Sequence, residues 1–117
     1  MVLQVPASQF ARWRDSVSAS GDTPAKPLLL DVREPWELQT ACVQEDGFEL
    51  LRIPMREVPA RLAELDPARP IACLCHHGMR SLQVANYLTQ NGFTEVVNLQ
   101  GGIDAWSQEV DPSVPCY

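Results

Sequence analysis

The chain has 117 residues, 45% of them hydrophobic, which is enough for one packed core and too little for two. Fifteen acidic against nine basic residues leave a net charge of −6 with no basic run, which excludes a surface built to neutralise nucleic-acid phosphates. No stretch reaches membrane-spanning length, and Met1-Val2-Leu3-Gln4-Val5-Pro6 lacks the charged start and long apolar run of a secretory leader, so the expectation is a single domain over 1–117, cytoplasmic and without membrane contact.

In chain order, Val5 to Trp13 reads as a strand end followed by a helix, with Phe10 and Trp13 three apart on one face. Ser20 to Pro27 is a loop by composition. Leu28 to Val32 is an apolar strand interrupted only by Asp31, the pattern of a strand covered on both faces. Phe48 to Ile53 is a second strand, Pro59 to Leu65 a short helix, and Ile71 to Leu74 a third strand. Ser81 to Asn91 is a helix with Leu82, Ala85 and Leu88 recurring at threes, Ser81 near its cap and Asn91-Gly92 as its stop. Val96 to Leu99 is another strand, and Ile103 to Ser107 begins a last helix. This alternation predicts an α/β fold, a mainly parallel sheet with helices on both sides.

Four cysteines are present, Cys42, Cys73, Cys75 and Cys116, and without a leader or a dense cysteine framework structural disulfides are not expected. Cys73 reads as a small buried hydrophobe, on the same face of an extended strand as Cys75. Cys75 stands apart. It ends the apolar run Pro70-Ile71-Ala72-Cys73-Leu74 and opens the loop Cys75-His76-His77-Gly78-Met79-Arg80-Ser81, which leads into a helix. Unpaired amide N–H groups and the positive end of the helix dipole solvate an anion at such a junction. A free thiol with a pKa of about 8.5 is only a few per cent ionised near neutrality, so such a setting favours its nucleophilic form. Arg80 adds a fixed positive charge, and Gly78 lets the backbone curl so that its amides converge.

The strand, the Cys-x4-Arg-Ser loop and the helix resemble the active loop of the rhodanese family, the single-domain sulfurtransferases. Leu28-Leu29-Leu30-Asp31-Val32-Arg33-Glu34-Pro35-Trp36-Glu37 resembles that family's first core strand and its charged exit, and Asn98-Leu99-Gln100-Gly101-Gly102-Ile103-Asp104-Ala105-Trp106 resembles its closing strand, paired glycines and helix. The resemblance implies a rhodanese-like fold and a Cys75 that carries sulfane sulfur as a persulfide, from a donor such as thiosulfate to a thiol or cyanide acceptor. It implies a substrate-binding loop of His76, His77, Gly78, Met79, Arg80 and Ser81, and no cofactor. Between Trp36 and Pro54 the chain departs from the family's Gly-His-Ile-Pro-Gly-Ala type segment. It has Thr40-Ala41-Cys42-Val43-Gln44-Glu45-Asp46-Gly47 there, a change expected to bring Glu45 and Asp46 near the entrance, and only Ile53-Pro54 echoes the pattern.

Asp31, Arg33 and Cys75 all fall at carboxyl ends of strands, where such sheets bind ligands. Asp31 and Arg33 fit a supporting ion pair under the loop as well as direct substrate contact. His76 and His77 fit either an anion-attracting role or a solvent-facing one. No metal is expected, because Cys73, Cys75, His76 and His77 match none of the usual zinc spacings. Two other readings use the same loop. Cysteine phosphatases and some arsenate reductases have a Cys-x5-Arg cradle, one residue longer than Cys75 to Arg80, and need a general acid that this chain does not display. A persulfide relay or interaction module serving a sulfur-accepting partner protein differs from a small-molecule enzyme only in its acceptor.

Overall fold

The computed structural model describes residues 2–18, 27–34, 36–37 and 48–114. Five strands form one sheet: β1 (Leu3–Pro6), β2 (Leu28–Asp31), β3 (Glu49–Arg52), β4 (Ile71–Leu74) and β5 (Val96–Gln100), in the order β1-β5-β4-β2-β3. Every pairing is parallel, with Leu28 opposite both Glu49 and Ile71, and Ile71 opposite Val96. Helices α1 (Phe10–Ser18), α2 (Met79–Gln90) and α3 (Gly102–Glu109) pack on the sheet, with 3-10 turns at Ala7–Gln9, Met55–Glu57 and Pro59–Glu64. The expected α/β architecture is present, and its sheet is wholly parallel among the described strands.

The side-chain period of two explains why the central strands are apolar throughout. Leu28 and Leu30 of β2, with Ile71 and Cys73 of β4, face one layer and meet Val84, Ala85 and Leu88 of α2. Leu29, Ala72 and Leu74 face the other layer and meet Phe10, Ile103 and Trp106. Phe10 lies edge-on to Phe48 and to Trp106, each at 5.2 Å between ring centroids, which locks α1 and α3 onto the same face. Truncating one of the fully buried leucines to alanine costs about 2–5 kcal/mol on this account.

Two local elements differ from the sequence reading. The Pro59 segment is a 3-10 helix with no buried residue, too short and too exposed for packing to draw it into α-helical form. The helix expected from Ser81 begins two residues earlier, at Met79, because Gly78 holds φ 98° and acts as its N-cap. Ser81 is therefore the third residue of α2 rather than its cap, and its hydroxyl points into the protein. Most of the loop expected at Ser20 to Pro27 lies outside the described residues, as do Thr40 to Gly47 with Cys42, Glu45 and Asp46, and Cys116.

Candidate active site

Chain geometry brings the carboxyl ends of β2, β4 and β5 together, so residues distant in sequence share one corner of the sheet. Cys75 follows the last residue of β4 and is 1% exposed. The loop after it is shaped from behind by α3. The N–H of Ile103 donates to the Cys75 carbonyl at 2.8 Å, and that of Asp104 to the His76 carbonyl at 3.1 Å. These are N–H groups of the first turn of α3, without partners inside their own helix. Gly102, at φ 60°, makes the approach feasible, since a Cβ there would collide with the carbonyl oxygens of Cys75 and His76.

With its carbonyls tied to α3, the loop turns an amide inward: the N–H of Gly78 donates to Cys75 Sγ at 3.0 Å. Ser81 Oγ lies 3.4 Å from the same sulfur and 2.5 Å from Oδ1 of Asn98, and both residues are fully buried. Asn98 Nδ2 also donates to the Gly78 carbonyl at 3.1 Å, so Gly78 is held through both its N–H and its C=O.

Arg80 pairs with an acidic residue from the exit of β2. It donates to both carboxylate oxygens of Glu37, at 2.6 and 2.8 Å, a bidentate pair whose carboxylate is buried. Glu37 in turn receives the Glu34 N–H at 3.1 Å. Asp31 and Arg33 form a second two-pronged pair, with bonds of 2.8 and 2.6 Å and both residues fully buried. Arg33 also reaches the Glu37 carbonyl at 3.3 Å. The two ion pairs are thus consecutive links from the end of β2 to the loop.

His76 and His77 stack, with ring centroids 3.9 Å apart and planes tilted by 22°; His76 is half-buried and His77 exposed. Met79 is 71% exposed. Cys73 and Cys75 pack in the same core layer and both are free thiols. Burial pushes the Cys73 thiol far up, and the neighbouring Cys75 adds to the shift, so Cys73 stays protonated and inert. Among the described residues no group of three or more His, Cys, Asp or Glu side chains is placed to hold a metal, and no helix is long and apolar enough to cross a membrane. A cavity of about 720 Å³ at the amino ends of β1, β4 and β5, lined by Trp13, Pro70 and Thr94 among others, contains no cysteine or histidine.

Two residues of this network have no role in the sequence reading, Glu37 and Asn98. Glu37 closes the charged exit of β2, and Asn98 is a polar residue set between Val97 and Leu99 in β5, shortly before the paired glycines. The second pattern is a signal, since an amide fully buried in a central strand requires partners.

Residues 15–109 match the rhodanese-like domain. Over 93 residues the chain is 43% identical to the rhodanese-like/PpiC domain-containing protein 12, chloroplastic, of Arabidopsis thaliana, a match covering 76% of this chain and 30% of that longer one. It is 37% identical over 87 residues to a sulfurtransferase of Allochromatium vinosum, covering 74% of this chain and 78% of that one. A rhodanese-related protein of Thermoplasma volcanium has the same fold, with a TM-score of 0.74 at 27% identity over 98% of this chain and 99% of its own. Sequence, fold and loop geometry agree, and the chain belongs to the family of rhodanese-like domains.

Proposed function

We propose that this chain is a sulfurtransferase in which Cys75 carries the transferred sulfur as a persulfide. The observation that carries the reading is the Gly78 N–H aimed at Cys75 Sγ at 3.0 Å, in a loop whose neighbouring carbonyls are bonded to α3. A sulfur anion there is solvated by fixed backbone dipoles instead of mobile water. The Cys75 thiolate attacks the outer sulfur of the donor, an Sγ–S bond forms, and the donor's own bond to that sulfur breaks with its electron pair leaving on the donor. With thiosulfate the leaving group is sulfite. An acceptor thiolate or cyanide then attacks the outer sulfur, and Sγ departs with the bonding pair. No separate base is required once the cysteine is ionised.

Arg80 supports this by bracing the loop through Glu37, with Asp31 and Arg33 holding the next link. The phosphatase reading fits less well, because the cradle's only arginine is bonded to a protein carboxylate and the loop is one residue short of Cys-x5-Arg. A protein acceptor is the second reading. Met79 within the loop and Trp36 beside Glu37 are exposed apolar side chains that such a partner would cover.

Steady-state transfer from thiosulfate to cyanide tests the proposal. The unmodified chain is expected to form thiocyanate and to leave aryl phosphates untouched, and Cys75→Ser to form none. Phosphate release that depends on Cys75 would replace the sulfurtransferase reading with the phosphatase one.

A further inference from the structure

The Ser81 hydroxyl has one proton and two acceptors in reach. Its oxygen lies 2.5 Å from Asn98 Oδ1 and 3.4 Å from Cys75 Sγ, so the proton serves one of them at a time. Asn98 cannot turn over to offer its NH2 group instead. Nδ2 already donates to the Gly78 carbonyl at 3.1 Å, which is an acceptor only, and to Gln4 Oε1 at 3.2 Å. Asn98 is fully buried, which gives its Oδ1 a strong claim on the proton whenever the sulfur is a weak acceptor.

The acceptor strength of Sγ changes during the reaction proposed above. In a persulfide Sγ is neutral and bonded to a second sulfur, and the shorter bond to Asn98 prevails. When the acceptor's lone pair takes the outer sulfur, the Sγ–S bond breaks, its pair stays on Sγ, and Sγ becomes an anion that draws a charge-assisted hydrogen bond. We propose that Ser81 is a catalytic donor that turns its proton from Asn98 to Cys75 Sγ as the persulfide is discharged, and that Asn98 is the positioning residue that holds the proton until then. No proton is transferred in this step; only the direction of the O–H bond changes. The proposal rests on the persulfide reading and adds an asymmetry to it. The hydroxyl helps discharge, in which Sγ gains charge, and does not help loading, in which Sγ loses charge.

The test loads the full chain with inorganic polysulfide and follows loading and cyanide discharge separately by intact mass in single turnovers. Ser81→Ala is expected to slow discharge about tenfold, equivalent to about 1.4 kcal/mol, and to leave loading within about twofold. Asn98→Ala removes both the competing acceptor of the Ser81 proton and the bond to the Gly78 carbonyl, and only the first of these needs Ser81, so its effect on discharge is expected to differ between the Ser81 and Ser81→Ala backgrounds. A merely structural role would slow loading and discharge together, and that outcome, or equal effects of Asn98→Ala in both backgrounds, overturns the proposal while leaving the persulfide reading intact. Failure of the unmodified chain to take up sulfur on Cys75 would overturn the persulfide reading, and this proposal with it.

Discussion

Arg80 and Glu37, 43 positions apart in sequence, meet through two parallel bonds of 2.6 and 2.8 Å, and this pair joins the loop after β4 to the exit of β2. Its consequence is chemical as well as mechanical. Arg80, five positions after Cys75, has its charge matched by the Glu37 carboxylate, and on the sulfurtransferase reading proposed above its part is to fix the path of the backbone.

Arg80→Ala is therefore expected to reduce sulfur transfer more than His76→Ala or His77→Ala. It leaves the buried Glu37 carboxylate without its guanidinium, and stability falls by about 1–3 kcal/mol. Arg80→Lys restores the charge but not the two-pronged geometry, so only part of the activity returns. Turnover measured beside urea unfolding checks both effects, and a histidine variant more damaging than Arg80→Ala would point to imidazole-assisted chemistry.

Gly102→Ala is expected to be more damaging than its size suggests. A Cβ would meet two loop carbonyls, and φ 60° is itself costly for alanine. The loop must move away from α3, and the Gly78 N–H loses its aim at the sulfur. Sulfur uptake by Cys75 should fall steeply even at temperatures where circular dichroism shows the variant still folded.

Much of this architecture is readable from the residues. Leu28 to Leu30 and Ile71 to Leu74 are apolar at every position because helices cover both faces of the sheet, and glycine marks the turns at 78 and 101–102. The start of α2 is harder to read, since serine is a favoured N-cap and Ser81 lies close to the boundary. Tertiary structure decides otherwise: Asn98, 17 positions away, takes the Ser81 hydroxyl into the interior. Glu37 is legible as part of a motif but not as the partner of Arg80, because nothing local records which acidic residue a distant loop will meet. Hydrophobic periodicity locates the elements, whereas ion pairs between them exist only once the strands are in register.

Cys73 gives stability a pH dependence of known sign. Burial holds its thiol far above the unfolded value of about 8.5, so above that pH the unfolded chain releases a proton that the folded chain keeps. This contribution is intact below about pH 8.5 and is lost as pH rises, at up to about 1.4 kcal/mol per unit. Urea unfolding between about pH 9 and 11 should show the decline, and Cys73→Ala, lower in stability near neutral pH, should show a flatter slope.

The burial of Cys75 sets the size of what reaches it. At 1% exposure, Cys75 should be slowed more towards a bulky maleimide than towards iodoacetamide, each rate taken relative to that reagent's rate with free cysteine, by peptide mapping of the labelled protein. Equal slowing of the two reagents would mean that the loop opens readily in solution.

The most direct test of the account is the intact mass of the protein after incubation with a sulfane-sulfur donor. The expected result is a gain of one sulfur atom that cyanide removes and that Cys75→Ser does not acquire. The same cyanide-labile gain in Cys75→Ser would place the transferable sulfur on another cysteine and contradict the role assigned to the loop.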